Sequence, residues 1–131
     1  MNRDRLILIV EDEPDWANLL RHHLERAGYR TAVAADGRRA LDLAFAHKPD
    51  LVILDLLLPE LHGLTVCQIL NQSRQLRRVP VVVLTALAEP DKRVASHLCG
   101  AVEFLAKPIS PAAVLASVRP LLETRVSCTK D

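Results

Sequence analysis

No stretch of this 131-residue sequence stays apolar for the roughly 18 residues a membrane-spanning helix needs, and the opening MNRDRLILIVEDE turns acidic after a brief apolar run, unlike a secretory signal. A membrane role finds no support, and a cytoplasmic location is expected. Cysteine is scarce: Cys67, Cys99 and Cys128 are odd in number, far apart and without C-x-x-C spacing. That suggests neither a disulfide framework nor a zinc site, and the three are expected to be reduced thiols. An excess of one charge is missing too. Seventeen basic and 16 acidic side chains are scattered along the chain rather than blocked, so no field draws in nucleic acid or an anionic membrane. Internal repeats and low-complexity tracts are absent. The length, with half of the residues apolar, suits one domain with a sizeable core, and no fused output domain is expected within these residues. Residues 1–123 are expected to form that domain, and 124–131 a polar, frayed tail.

What the chain does contain is alternation. Five short β-rich apolar runs, Leu6 to Val10, Thr31 to Ala34, Leu51 to Leu54, Val81 to Leu84 and Ala101 to Leu105, are separated by amphipathic segments. LILIV, LVIL and VVVL are apolar without a break, as expected of parallel strands covered on both faces. RTAVA is more polar and reads as an edge. Trp16, Leu19, Leu20, His23, Leu24 and Ala27 recur at helical spacing, as do Ala40, Leu41, Ala44 and Phe45. Pro14, Pro90 and Pro111 stand where first helical turns should lie, and Gly28 and Gly100 where helices close. Pro120 falls inside the last helical pattern and should kink or end it. Strand-helix alternation with short connections predicts a doubly wound α/β fold, with a five-stranded parallel sheet of flavodoxin-like order 2-1-3-4-5 and helices on both faces.

Open α/β sheets bind ligands at the carboxyl ends of their strands, and four of the five strands deliver a reactive side chain there. Glu11 and Asp12 follow the first, Asp55 ends the third, Thr85 ends the fourth, and Lys107 follows the fifth after one residue. Carboxylates brought together at close range repel unless a cation intervenes. Oxygen ligands without His or Cys favour a hard divalent ion, and Mg²⁺, which takes one or two carboxylates plus a phosphate, fits best. Lys107 adds a positive charge, and the following Pro108 permits a cis bond that could fix its direction. Taken singly, Glu11 and Asp12 would read as solvated loop residues, Lys107 as an exposed lysine and Thr85 as a β-former. Together, a carboxylate nucleophile, a divalent ion, an ammonium and a hydroxyl are the parts needed to form an aspartyl phosphate.

VEDEP, LDLLLPELHG, VVLTA and FLAKPIS resemble, in order and spacing, the motifs of the CheY-like receiver (phosphoacceptor) domains of two-component response regulators, over roughly residues 5 to 123. The resemblance implies a Mg²⁺ site made by Glu11, Asp12, Asp55 and the backbone carbonyl of Leu57, with Asp55 phosphorylated by a histidine kinase or phosphotransfer protein. It implies that Lys107, Thr85 and the backbone N–H of Ala86 hold the phosphoryl oxygens. Such a domain catalyses only its own phosphorylation and dephosphorylation. Thr85 and Phe104 match the family's switch pair, which signals to a downstream protein through the surface around the fourth helix, fifth strand and fifth helix. A monomer or a phosphorylation-dependent homodimer is expected, without direct contact to nucleic acid. The resemblance fits alike a stand-alone signalling protein, a phosphorelay shuttle and a domain cut from a longer regulator.

Some positions depart from commoner family patterns. Phe104 lacks a tyrosine hydroxyl, so a switch there works by packing. Val102 stands where a dimerising transcription-factor subgroup carries an acidic residue, and that dimer mode is not implied. Leu57 and Leu87 are apolar where polar side chains can orient an attacking water, which implies a long-lived phosphoryl group. Two rivals are weaker. An aspartate-nucleophile phosphatase would carry D-x-D, but Asp55 is followed by Leu56 and Leu57. A flavin or dinucleotide carrier would need a Gly-rich or hydroxyl-rich loop after the first strand, where this chain has EDEPDW.

Overall fold

A computed structural model describes residues 5–56, 63–85 and 101–129, the side chains of 85 and 124–129 excepted. Five strands, β1 (Leu6–Val10), β2 (Arg30–Ala34), β3 (Leu51–Asp55), β4 (Val81–Thr85) and β5 (Glu103–Ala106), form one sheet of order β2-β1-β3-β4-β5. Every neighbouring pair is parallel. This is the expected doubly wound topology. The apolar runs locate β1 and β3 because all five residues of each are buried. At the edges the match is looser. β5 begins at Glu103 rather than Ala101, since its pairing with β4 starts at Val82 opposite Glu103, and Val102 is left 51% exposed.

Side chains alternate across the sheet and divide the core in two. Leu8, Val10, Val52, Leu54, Val81 and Val83 face helices α2 (Gly37–His47) and α3 (Gly63–Gln72). Ile7, Ile9, Leu51, Ile53, Val82 and Leu84 face α1 (Pro14–Arg26) and the last helix, Pro111–Thr129. Burial of both faces makes each central strand a continuous apolar run, because neither side can be polar without cost.

The helices start and stop for identifiable reasons. Pro14 opens α1 at a position with no use for an N–H, and Gly28, at φ 100°, turns the chain back after it. Asp36 caps α2 by accepting the N–H of Arg39 at 2.8 Å. The face of α1 that meets the sheet is Ala17, Leu20 and Leu24, whereas Leu19 is 47% exposed. In α2 the small Ala40 and Ala44 lie on the sheet, and Phe45 stays exposed. The expected faces hold at Leu20, Leu24, Ala40 and Ala44, and depart from expectation at exposed Leu19 and Phe45 and at buried Ala17, whose small side chain allows a close approach. The last helix does not end at Pro120 but runs to Thr129. Pro120 is exposed while Val114, Val118 and Leu122 are buried, so packing holds the helix across the bond that proline cannot donate. Pro90 and Gly100 lie outside the described residues.

Candidate functional site

The carboxyl ends of β1, β3 and β5 place four charged side chains together. Glu11 leaves β1 with its N–H donated to the Ala34 carbonyl at 2.9 Å, which keeps the residue in the sheet's plane and 4% exposed. Asp55 is the last residue of β3 and 5% exposed. Asp12 is open to solvent, yet carboxylate oxygens of Glu11, Asp12 and Asp55 all lie within 4.8 Å of one another. Into this cluster comes Lys107, whose Nζ donates to Glu11 Oε1 and to Asp55 Oδ2, each at 3.0 Å. The Lys107–Pro108 peptide is cis.

Among the described residues, one ammonium against three carboxylates leaves the site short of positive charge. Glu11 registers that deficit: burial, with the nearby Asp55 charge added, holds its carboxyl above the usual carboxylate range despite the hydrogen bond from Lys107. For Lys107, burial favours the neutral amine, but the hydrogen bonds to Asp55 and Glu11 outweigh it and hold the ammonium above its usual range. Lysine is therefore firmly charged, and the uncompensated charge is negative. The donor set is all oxygen, with one solvent-open member, Asp12. That suits a hard divalent cation that retains water.

Thr85 lies on the strand next to Asp55 and at the same end of the sheet, since Asp55 pairs with Leu84 and Thr85 with Ala106. Phe104 pairs with Val83 and packs, half-buried, on the core layer beneath α2 and α3. Leu57, Ala86 and Leu87 fall outside the described residues. Two features of the site went unread in the sequence. The backbone N–H of Glu13 donates to Glu11 Oε2 at 3.2 Å, so the start of α1 helps orient that carboxylate. Gly63 donates its N–H to the Leu56 carbonyl, and a Cβ there would lie 2.5 Å from Leu56 Cα and 2.6 Å from the Asp55 carbonyl oxygen. Only glycine lets α3 start against the backbone that carries Asp55. The closing glycine of LDLLLPELHG, directly before a helical pattern, was the available signal.

A strand-end carboxylate beside two further acids and a lysine, on a sheet of order 2-1-3-4-5, defines a receiver-type α/β domain. The chain belongs to the response regulator receiver domain family, whose model matches residues 7–119. It is 40% identical over 119 residues to the alkaline phosphatase synthesis transcriptional regulatory protein PhoP of Bacillus subtilis, covering 91% of this chain and 49% of that protein. The chain thus spans about half the length of the curated relatives it matches. Among solved structures, the signal receiver domain of a Syntrophus aciditrophicus signal transduction histidine kinase is 40% identical, with a TM-score of 0.84 over 92% of this chain and 91% of that one. Vibrio cholerae chemotaxis response regulator CheY4 is 29% identical, with a TM-score of 0.83 over 88% and 97%.

Proposed function

We propose that Asp55 accepts a phosphoryl group from a phosphohistidine on a histidine kinase or phosphotransfer protein. The observation that carries this is the Lys107 ammonium, 3.0 Å from both Asp55 and Glu11 within the three-carboxylate cluster. An Asp55 oxygen attacks phosphorus, the bond from phosphorus to the donor nitrogen breaks, and an acyl phosphate forms. Lys107 neutralises a phosphoryl oxygen as its hold on the Asp55 carboxylate is exchanged. The Thr85 hydroxyl and the Ala86 N–H complete the cradle. Mg²⁺, held by Glu11, Asp12, Asp55 and the Leu57 carbonyl, would supply the remaining neutralising charge. Asp12 keeps one side of the site open to water and to the donor, while buried Glu11 fixes the lysine.

Phosphorylation then biases a two-state packing: Thr85 drawn toward the phosphoryl group vacates space for Phe104, and the change reaches the surface around β5 and its flanking helices. A downstream protein reads that surface in the cytoplasm. Leu57 and Leu87, lacking polar groups to orient water, make the phosphorylated form long-lived. A phosphatase role has no acid two residues after Asp55 to protonate a leaving group.

Intact-mass analysis after incubation with acetyl phosphate and Mg²⁺ tests the acceptor: one phosphoryl group is expected on the protein and none on Asp55→Asn. Equal labelling of the mutant would place the acceptor elsewhere. For the switch, amide NMR shifts on adding beryllofluoride should reach Phe104 and its neighbours. Shifts confined to residues next to Asp55 would refute that route.

A further inference from the structure

A cavity of about 360 Å³ opens between the first turn of α1 and the loop after β5, lined by Glu13, Trp16, Lys107, Pro108 and Ile109. Its volume falls in the range of small-ligand sites, and its walls are mostly apolar: an indole, a proline ring and an isoleucine. Two observations tie it to the acceptor. Lys107 belongs both to this wall and to the carboxylate cluster, where its Nζ lies 3.0 Å from Asp55 Oδ2. Glu13, on the opposite wall, donates its N–H to Glu11. A third concerns the indole. Trp16 Nε1 is closed off from solvent and has no hydrogen-bond acceptor among the described residues, a state that costs stability until an acceptor arrives.

We infer that this cavity takes the organic group of a small acyl phosphate, so that the protein is phosphorylated preferentially by donors whose acyl group is apolar and larger than acetyl. The inference rests on the reading of Asp55 as acceptor. The chemistry balances without a co-reactant. An Asp55 oxygen attacks phosphorus, the bond between phosphorus and the acyl oxygen breaks, and the acyl group departs as a carboxylate carrying the bonding pair. Lys107 spans the two compartments, with the phosphoryl group on its Asp55 side and the acyl group on its Ile109 side. A slight tilt of the Trp16 ring gives its N–H the acyl oxygen as acceptor, while the ring, Pro108 and Ile109 remove the apolar group from water. Acetyl leaves most of that surface untouched, and an aromatic acyl group covers it.

The test compares labelling of Asp55 by benzoyl phosphate and by acetyl phosphate, both with Mg²⁺, read by intact mass. In the unmodified protein benzoyl phosphate should react about tenfold faster, the lower end of what added apolar bulk yields in a fitted pocket. The preference, taken as the ratio of the two rates within each variant, should fall to near unity in Trp16→Ala and in Ile109→Ser. Because Trp16 is the chain's single tryptophan, benzoate alone should also change its fluorescence saturably. Equal rates for the two donors, or a preference that survives both substitutions, would overturn the inference and leave Asp55 as acceptor untouched. Failure of acetyl phosphate itself to label the unmodified protein would instead overturn the acceptor reading, and this inference with it.

Discussion

The two ends of the sheet solve opposite problems. At the amino end, Asp50 accepts the Leu6 N–H at 2.8 Å and faces Arg5 Nη1 at 3.3 Å, while its own N–H goes to the Leu6 carbonyl at 2.8 Å. Arg30 closes the row by donating its N–H to the Arg5 carbonyl. Anion, cation and backbone groups are matched there. At the carboxyl end, among the described residues, the Lys107 ammonium pairs with buried Glu11 and Asp55 while exposed Asp12 adds a third carboxylate beside them. Matched charge at one end ties β1 to the start of β3. Unmatched negative charge at the other is an arrangement that costs stability and that a divalent cation can relieve.

The widest separation between the ends should come from their aspartates. Asp55→Asn removes all phosphoryl labelling yet leaves the urea midpoint unchanged or slightly raised, since it deletes one of several mutually repelling charges. A large loss of stability in that variant would break the contrast. Gly63→Ala, which drives a Cβ into the Leu56 and Asp55 backbone, should cost about 3 kcal/mol by chemical denaturation. Asp50→Ala should cost about 1–2 kcal/mol, because it strands the buried end of a backbone N–H, while the rate of labelling by acetyl phosphate stays the same.

Smaller effects follow from ions and protons. Mg²⁺ at ten times its dissociation constant should raise unfolding free energy by about 1.4 kcal/mol, with Asp50→Ala responding like the unmodified protein and Asp55→Asn responding less. Lys107 is held above its ordinary pKa of 10.5 in the folded chain, so its contribution is complete below that value and declines as pH rises through the folded one. The alkaline fall in melting temperature should therefore be shallower in Lys107→Met. A parallel slope in the two proteins would show that the ammonium contributes nothing to the fold.

The fold was legible because a strand buried on both faces must be apolar throughout, and LILIV, LVIL and VVVL admit few other readings. The carboxylate and lysine positions were legible for a related reason: polar residues at the ends of such runs stand out. Helix faces were read less well. Leu19 and Phe45 counted as apolar while Ala17 went unremarked, and periodicity does not distinguish a residue that fills a face from one that lets the helix come close. Gly63 shows the same limit, because its role depends on backbone from a different element. Charge shows it most plainly. Acids scattered along the sequence come together once the chain folds: Glu11 and Asp12, which follow β1, and Asp55, which ends β3, lie within 4.8 Å of one another.

The ion pair between Lys107 and Glu11 joins residues 96 positions apart, and that between Lys107 and Asp55 joins residues 52 apart. Contacts of such span close only after most of the chain has been made and collapsed. A ribosome-bound or proteolysed fragment ending before β5 would carry the three acids without their ammonium. The cluster of acids and ammonium is therefore complete only in a chain whose first, third and fifth strands are all in place.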